Sequence, residues 1–540
     1  MERESFEDGE IAALLNRHFI SVKVDREERP DVDSVYMSVC QALTGSGGWP
    51  LSIIMSPEKK PFFAGTYFPK DVLMRLIPRI GGMWVNERGE LIKTGDEIER
   101  HLNRIEKSAQ NVNAELDRNT ADKAAQAFEA SFDEKYGGFG SAPKFPAAHN
   151  LLFLIEYDRA TGSNQAAKMS QLTLEAMYRG GIFDHIAGGF SRYSTDGKWL
   201  IPHFEKMLYD NALLAWAYLE AYSLYKKEFC KTAAQKIFSW VFAEMTNSDG
   251  GFFCGQDADS EGIEGKYYVF SYDEIGDILP REEVEVWRKY YGITKGGNFE
   301  GKSVPNLIKN SKFALNDEFI NRCNSKIYKY RLERTKLHTD DKILTSWNAL
   351  MMIALTKAYT VLGDASYLEA AKRNEKFISE KLSFPQTAPR LYVRWRDNEV
   401  QGNGKLDDYA YYTLALLELY EVTNDTGYFD KALHYANVMA ERFFDHSNGG
   451  FYLYADDDEQ LITRPKEIFD NALPSGNSVA FMLLNRLSRE TGELKFYEMY
   501  RKQAGFIAAY AGQYPAGCGF SLITVINGSS DKSCKDGQCL

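Results

Sequence analysis

Long apolar runs are absent from this chain of 540 residues. No uninterrupted hydrophobic stretch approaches the roughly 20 residues that a membrane-spanning helix needs, so a membrane partner is not expected. No basic segment followed by an apolar one opens the sequence, and secretion is not indicated. Positive charge is in deficit. A net charge of −12 argues against an extended phosphate-binding surface, and nucleic acid is not an expected partner. Cysteine is scarce: seven residues, odd in number and scattered, fit a reducing, cytoplasmic setting better than a disulfide framework. His-Glu-x-x-His, Walker, Rossmann-glycine and Gly-x-Ser-x-Gly motifs are all missing, so no cofactor is expected. In "DADSEG", Asp257, Asp259, Glu261 and Gly262 fit calcium-loop positions one, three, five and six. Position twelve, however, is Tyr268 rather than Glu, and no metal is assigned.

Aromatic residues are plentiful, with 32 Tyr and 33 Phe. They fill cores, and they also stack on sugar rings. The length implies two or three domains. Near the start, Ile11, Leu14 and Leu15 give Asp8–His18 a helical period, and Phe19–Asp25 ("FISVKVD") alternates as a strand does. "DVDSVYMSVCQAL" is a second helix, "GGWPLSIIMS" an apolar strand led by Pro50, and "PFFAGTYF" its hairpin return. This order is the second half of a thioredoxin-like fold, in which the strand-leading proline is cis. The central strand and Cys-x-x-Cys that should precede it do not appear, so the reading is an N-terminally shortened domain. Cys40 falls in an apolar helical stretch and is expected to pack. Residues 71–119 read as a charged helical connector, closing a first domain at 1–118.

The remainder carries a weak repeat: "YGGFG" at 136, "AGGFS" at 187, "DGGFF" at 249, "GGNFE" at 296 and "NGGFY" at 448. Between these lie helix pairs. The first helix of a pair is apolar nearly all round ("ALLAWAYLEAY"), and the second is amphipathic ("YLEAAKRNEKFI"). The first kind belongs inside and the second on a surface. Repeated inner–outer pairs that close on themselves make an (α/α)6 toroid, expected over 119–515. Five pairs are clear, and "ADKAAQAFEASF" with "NDEFINRCNSKIYKYRLERT" is expected to supply a sixth. Residues 516–540, with Cys518, Cys534 and Cys539, read as a frayed tail. The fold class is therefore α+β multidomain: an incomplete thioredoxin-like α/β domain, then an all-α toroid.

If the inner helices run parallel, their N-termini share one mouth, and so do the positive ends of their dipoles. Polar residues gather near those starts: His203, Glu205, Lys206 and Asp210; Asp340, Asp341, Lys342, Trp347 and Asn348; Asp407, Asp408 and Tyr409; Asp470, Asn471, Ser475 and Asn477. His203, Lys206 and Asp210 fall on one helical face by their spacing of three and seven. Asp340, Asp407 and Asp470 are expected to cap. Carboxylates for acid–base work beside aromatic rings are what a sugar site needs. Glu205, Asp210, Asp341 and Asp408 are the candidate acids and bases, with His203 as a proton shuttle. Arg192, Trp347, Tyr409, Asp257, Asp470 and Ser475 are candidates to hold substrate. The expected partner is a small-molecule or oligosaccharide substrate, and the thioredoxin-like domain could also receive a protein. The competing expectation is a thiol-redox or chaperone-like protein whose toroid binds without catalysis.

The segments "ESFED", "VKVDREERPDVD", "GGWPLSIIMSP", "FAGTYFP", "GGFGSAPKFP", "IPHFEKMLYDNALL", "QDADSEGIEGKYYVF", "DDKILTSWNALM", "LDDYAYY" and "PSGNSVA" run along nearly the whole chain. Together they resemble the YyaL-like family of thioredoxin-domain proteins, relatives of the spermatogenesis-associated protein of animals. The resemblance implies a thioredoxin-like domain followed by a toroid similar to six-hairpin glycosidases and N-acylglucosamine epimerases. It also implies a Cys-x-x-Cys just before the equivalent of "MERESFED", which this sequence lacks.

Overall fold

The computed structural model describes residues 5–108, 116–311, 313–315, 317–384 and 390–528. Its first domain begins with α1 (Gly9–His18), capped by the Asp8 carboxylate on the N–H groups of Glu10 and Ile11. Helix α2 (Pro30–Thr44) opens on proline and stops at Gly45, whose φ of 77° is the left-handed turn that glycine tolerates. Strands β1 (Ser52–Met55) and β2 (Pro61–Gly65) form an antiparallel hairpin with Ile53 opposite Ala64. The Trp49–Pro50 bond before β1 is cis, as the thioredoxin-like pattern predicts. Helices α3 (Lys70–Asn86) and α4 (Arg88–Ser108) are more than a connector: α3 packs on α1 through Ile11, Leu73 and Ile77, and α4 packs on β2. Cys40 is buried among Val35, Val39 and Leu102. One expectation fails. Phe19–Asp25 is extended but belongs to no sheet among the described residues, and Ile20 and Val22 are exposed. A strand is held by backbone pairing with a neighbour, and none lies beside this segment here.

The second domain is an (α/α)6 toroid. It opens with α5 (Arg118–Ser131). The hairpins follow as α6 (Ala148–Thr161) with α7 (Asn164–Arg179), and α8 (Leu208–Tyr225) with α9 (Glu228–Glu244). Helices α10 (Tyr272–Ile278), α11 (Arg281–Tyr291) and α12 (Glu318–Arg334) pack on one another as an insertion. The ring resumes with α13 (Thr345–Leu362) and α14 (Ala365–Lys381), α15 (Leu406–Thr423) and α16 (Thr426–Arg442), and α17 (Gly476–Thr491) and α18 (Leu494–Ala511). It ends with α19 (Gly519–Gly528). Contacts run α6–α8–α13–α15–α17–α19 and back to α6, which closes an inner ring. Most hairpins turn through a left-handed residue, Gly162, Gly363 or Gly492, with Lys226 and Asn424 taking that conformation in the other two.

The sixth hairpin corrects the sequence reading. Helix α5 pairs with α19, not with α12, which stays in the insertion. Residues 516–528 are therefore no tail. "GFSLITVING" is apolar all round and buried from Gly519 to Thr524, the mark of an inner helix. Cys518 is buried in the turn before it, while Cys534 and Cys539 lie outside the described residues. The ring has no open bore: residues 347–356 of α13 are buried on every face, as are 211–219 of α8.

The Gly-Gly-Phe repeat joins outer to inner helices. In three loops an aspartate accepts the N–H groups two and three residues on and pairs with a lysine that also bonds a loop glycine carbonyl. Asp133–Lys144 (2.5 Å), Asp184–Lys206 (2.9 Å) and Asp445–Lys466 (2.7 Å) are the pairs. The lysines reach Gly137, Gly188 and Gly449. An asparagine on the next inner helix then takes both the N–H and C=O of the loop phenylalanine: Asn211 on Phe190, Asn348 on Phe252 and Asn477 on Phe451. The "GGNFE" at 296 lies in the insertion, outside this scheme.

Replacing Asn348 with alanine orphans the buried N–H and C=O of Phe252, each costing about 1–3 kcal/mol. Urea denaturation is expected to register a loss of roughly 2–4 kcal/mol for Asn348→Ala, against less than about 0.5 for exposed Glu369→Ala. Cutting the chain after Tyr514 removes α19, and is expected to abolish cooperative unfolding of the toroid in a calorimetric scan.

Candidate functional site

The starts of five inner helices, α8, α13, α15, α17 and α19, are tied together by side chains that cross between them. Asp408 accepts from Lys405 N (2.8 Å) on its own helix and from Ser346 N (3.0 Å) on α13. Asp407 accepts from the Gly476 backbone at the start of α17, where any Cβ would collide with its Oδ1. Asp470 accepts from Ser475 N (3.0 Å) and from Phe520 N (2.9 Å), joining α17 to α19. Tyr209 on α8 meets Trp347 on α13 edge to face, ring centres 4.7 Å apart.

These bonds settle where several sequence candidates stand. Both oxygens of Asp408 are spent on backbone N–H groups; burial raises its pKa to about 6 against those bonds. Asp470 is held in the same way, at about 6. Ser475 caps Ser478 N and donates to the Ile468 carbonyl. Tyr409 faces the wall, packed on Phe443 and Tyr435, with its hydroxyl accepting from Leu391 N. Asp340 caps nothing; it pairs with Lys342 at 2.9 Å. Asp341 is half-buried and pairs with Arg396 at 2.7 Å. His203 and Lys206 sit on short strands ahead of α8, which starts only at Leu208, so the helical face expected for them does not form. Lys206 turns inward to Asp184, which Arg331 also grips; burial alone would raise the Asp184 pKa, but these two cations hold it below the usual range.

What the mouth does bring together is a compact set around the start of α8. Arg192 pairs with Glu205 at 3.1 Å, and its N–H bonds the Glu205 carbonyl. His203 stands between two carboxylates, Nδ1 2.9 Å from Glu264 and Nε2 3.8 Å from Glu205. Tyr193 stacks on the His203 ring at 5.0 Å, and Phe145 on Tyr193 at 4.9 Å, an aromatic ladder that ends at solvent. Asp257 lies nearby, paired with His338 at 3.0 Å, and burial raises its pKa with help from Glu205 and Asp340. The remaining "DADSEG" carboxylates are occupied or exposed: Glu261 bonds Lys266 and Thr335, and Asp259 points outward from a two-residue strand. Glu264, Tyr193 and Phe145 were not among the sequence candidates.

Asp210 is the unusual member. Its Oδ2 is buried without a hydrogen-bond partner. Burial pushes its pKa from 3.8 up to about 8; Arg192 and Tyr209 oppose the rise and Glu205 adds to it. A pKa near 8 leaves it mostly protonated at neutral pH.

The thioredoxin-like domain covers this end of the toroid. Across Asp25–Ser34 the chain bonds the starts of three inner hairpins. Asp25 and Glu27 reach Lys342 (2.6 and 2.9 Å), Glu28 reaches Arg394 (2.8 Å), Asp31 reaches Lys405 (3.4 Å), and Ser34 donates to Glu467 (2.5 Å). Glu27, Cys254 and Asp340 gather within 4.8 Å of one another, but the Lys342 ammonium already bonds both carboxylates.

The chain thus joins a thioredoxin-like domain to a six-hairpin toroid with an acid–base cluster at the covered mouth. Residues 1–103 match the thioredoxin-like DsbH model, described as a protein of unknown function, DUF255. The chain belongs to the spermatogenesis-associated protein 20 family: it is 35% identical to the human member over 552 residues, spanning 91% of this chain and 70% of the relative. An uncharacterized Caenorhabditis elegans protein is 33% identical, spanning 93% and 74%. Among solved structures, a D-mannose isomerase aligns with a TM-score of 0.50 at 12% identity, covering 72% of this chain and 85% of that one. The cellobiose 2-epimerase of Bacillus thermoamylovorans B4167 aligns at 0.49, also at 12%, covering 71% and 85%. At such identities the likeness shows the fold alone. No helix among the described residues is long and apolar enough to cross a membrane.

The Asp210 pKa fixes the sign of a stability test. A carboxyl whose folded pKa lies above its unfolded value stabilises below the lower value and loses that contribution as pH rises through the higher. Wild-type stability in urea is therefore expected to fall between about pH 4 and pH 8 more steeply than that of Asp210→Asn.

Proposed function

We propose that this protein is an enzyme acting on a carbohydrate, its site at the toroid mouth and its chemistry a proton transfer on a sugar. The observation that carries the reading is Asp210, a neutral acid with one unbonded oxygen, beside the Arg192–Glu205 pair and the His203 ring. An acid that keeps its proton at neutral pH can donate a hydrogen bond to a carbonyl or glycosidic oxygen. His203, set between Glu205 and Glu264, takes a proton from carbon or returns it, and the carboxylates stabilise the imidazolium that forms. Tyr209, Trp347 and the Phe145–Tyr193 ladder offer apolar faces for a ring. Asp257 borders the cluster and contacts substrate hydroxyls, Asp341 is taken up by Arg396, and Asp408, Tyr409, Asp470 and Ser475 serve by fixing the helix starts.

The D-mannose isomerase among the structural neighbours supports sugar isomerisation or epimerisation as the first reaction to try. Glycoside hydrolysis is the companion possibility, with Glu205 and Asp210 as the carboxyl pair. Thiol-redox or chaperone work has less support, since the five described cysteines are all buried. Those scattered thiols also favour the cytoplasm as the working compartment.

The test is proton NMR of the purified full chain with mannose, glucose and cellobiose in heavy water. Deuterium is expected to enter at C2, and His203→Ala, Glu205→Gln and Asp210→Asn are each expected to slow that exchange by about 100- to 10,000-fold. Exchange or hydrolysis that survives all three substitutions at wild-type rate would remove the assignment.

A further inference from the structure

Among the described residues Arg26 is a cation without a counter-ion, in a chain that carries 76 acidic and 64 basic side chains. Its acidic neighbours are engaged elsewhere: Asp25 and Glu27 with Lys342, Glu28 with Arg394. No ion pair or hydrogen bond of the Arg26 guanidinium occurs among the described residues. The group instead lies 3.7 Å over the Trp49 ring, next to the cis Pro50. Trp49 is fixed in turn by its Nε1–H donating to Asp33 at 2.8 Å. This pair belongs to the thioredoxin-like domain, yet it sits by the toroid mouth: the residues on either side of Arg26, Asp25 and Glu27, bond Lys342 just ahead of α13, and Arg26 acts electrostatically on the Tyr209 hydroxyl. The two cations differ in one respect. Arg192 is paired with Glu205 at 3.1 Å, whereas the five donors of Arg26 have no partner among the described residues.

A guanidinium held over an indole, half-buried and unpaired among the described residues, is prepared for a planar or tetrahedral oxyanion. We propose that Arg26 completes the toroid site from the other domain by binding the phosphate or carboxylate of an anionic sugar whose ring lies over Tyr209 and Trp347. This rests on the carbohydrate reading above. It makes the site composite: the toroid supplies the proton-transfer groups, and the thioredoxin-like domain supplies the selectivity for charge.

The full chain is titrated with glucose, glucose 6-phosphate, glucuronate and inorganic phosphate, following tryptophan emission. Trp49→Phe identifies the Trp49 share among the eight tryptophans. Arg26→Ala and Arg26→Lys are the variants, with thermal melts confirming that they fold. Glucose 6-phosphate or glucuronate is expected to bind at least about 10-fold more tightly than glucose, with Arg26→Ala erasing the difference and Arg26→Lys keeping part of it. The two sugars separate phosphate from carboxylate as the source of the anion. A preference for charge that survives in Arg26→Ala, or its absence from the wild type while glucose binds, overturns this inference and leaves the carbohydrate reading standing. Inorganic phosphate binding through Arg26 with no sugar binding at all overturns the sugar assignment. No titration by any probe overturns both.

Discussion

A side-chain amide that takes both backbone groups of one phenylalanine is the fastening on which the ring depends. Each outer helix must hand the chain to the next inner helix through a loop with left-handed glycines, and such a loop has no ladder of its own. Asn211, Asn348 and Asn477 answer that need by bonding the loop phenylalanine at N–H and C=O together. The phenylalanine is thereby drawn into the core, and the rest of the turn is fixed by an aspartate–lysine pair in the Phe190 and Phe451 loops and by the Asn247 side chain in the Phe252 loop. A buried ion pair of this kind is weak evidence for net stability, but removing one partner leaves a buried charge. Its effect is to fix one loop geometry, and with it the position of each helix start.

Fixed helix starts explain why acids are concentrated at the mouth without all being reactive. Asp407, Asp408 and Asp470 each serve a neighbouring helix, so the inner rods α17, α13 and α19 are capped partly from next door. The carboxyls proposed for chemistry are those near α8, where loops and short strands rather than caps present the side chains. That cluster is also where the other domain arrives. The stretch from Asp25 to Ser34 meets Lys342, Arg394, Lys405 and Glu467, so separating the two domains would strip four partners from buried or half-buried groups.

Periodicity made most of the architecture legible. The all-round apolar helices, their amphipathic partners and the Gly-Gly-Phe punctuation define the toroid, and Pro50 before an apolar hairpin marks the thioredoxin-like half. Three things were hidden, for physical reasons. Helix α19 is ten residues long and separated in sequence from its partner α5 by the whole ring, so no local pattern announces the pairing. Asp at a helix start reads alike whether it caps or reacts; only the N–H groups of Ser346 and Phe520, brought from other helices, decide for Asp408 and Asp470. The Phe145–Tyr193–His203 ladder is assembled from separate short segments, and period-based reasoning does not reach across them. A faint signal existed in the clustering of "KFP", "RYS" and "PHF" around glycine-rich loops.

Pairing the earliest toroid helix with the last one has a cost in time. While a ribosome is still adding residues, α5 and α6 wait with apolar flanks uncovered, because the rod that shields them has not been synthesised. Hundreds of residues must be held in solution before the circle can be sealed, and long-range closure is slow. Cells that make this protein therefore face their greatest aggregation hazard before release of the nascent chain, when a chaperone that shelters α5 and α6 would matter most.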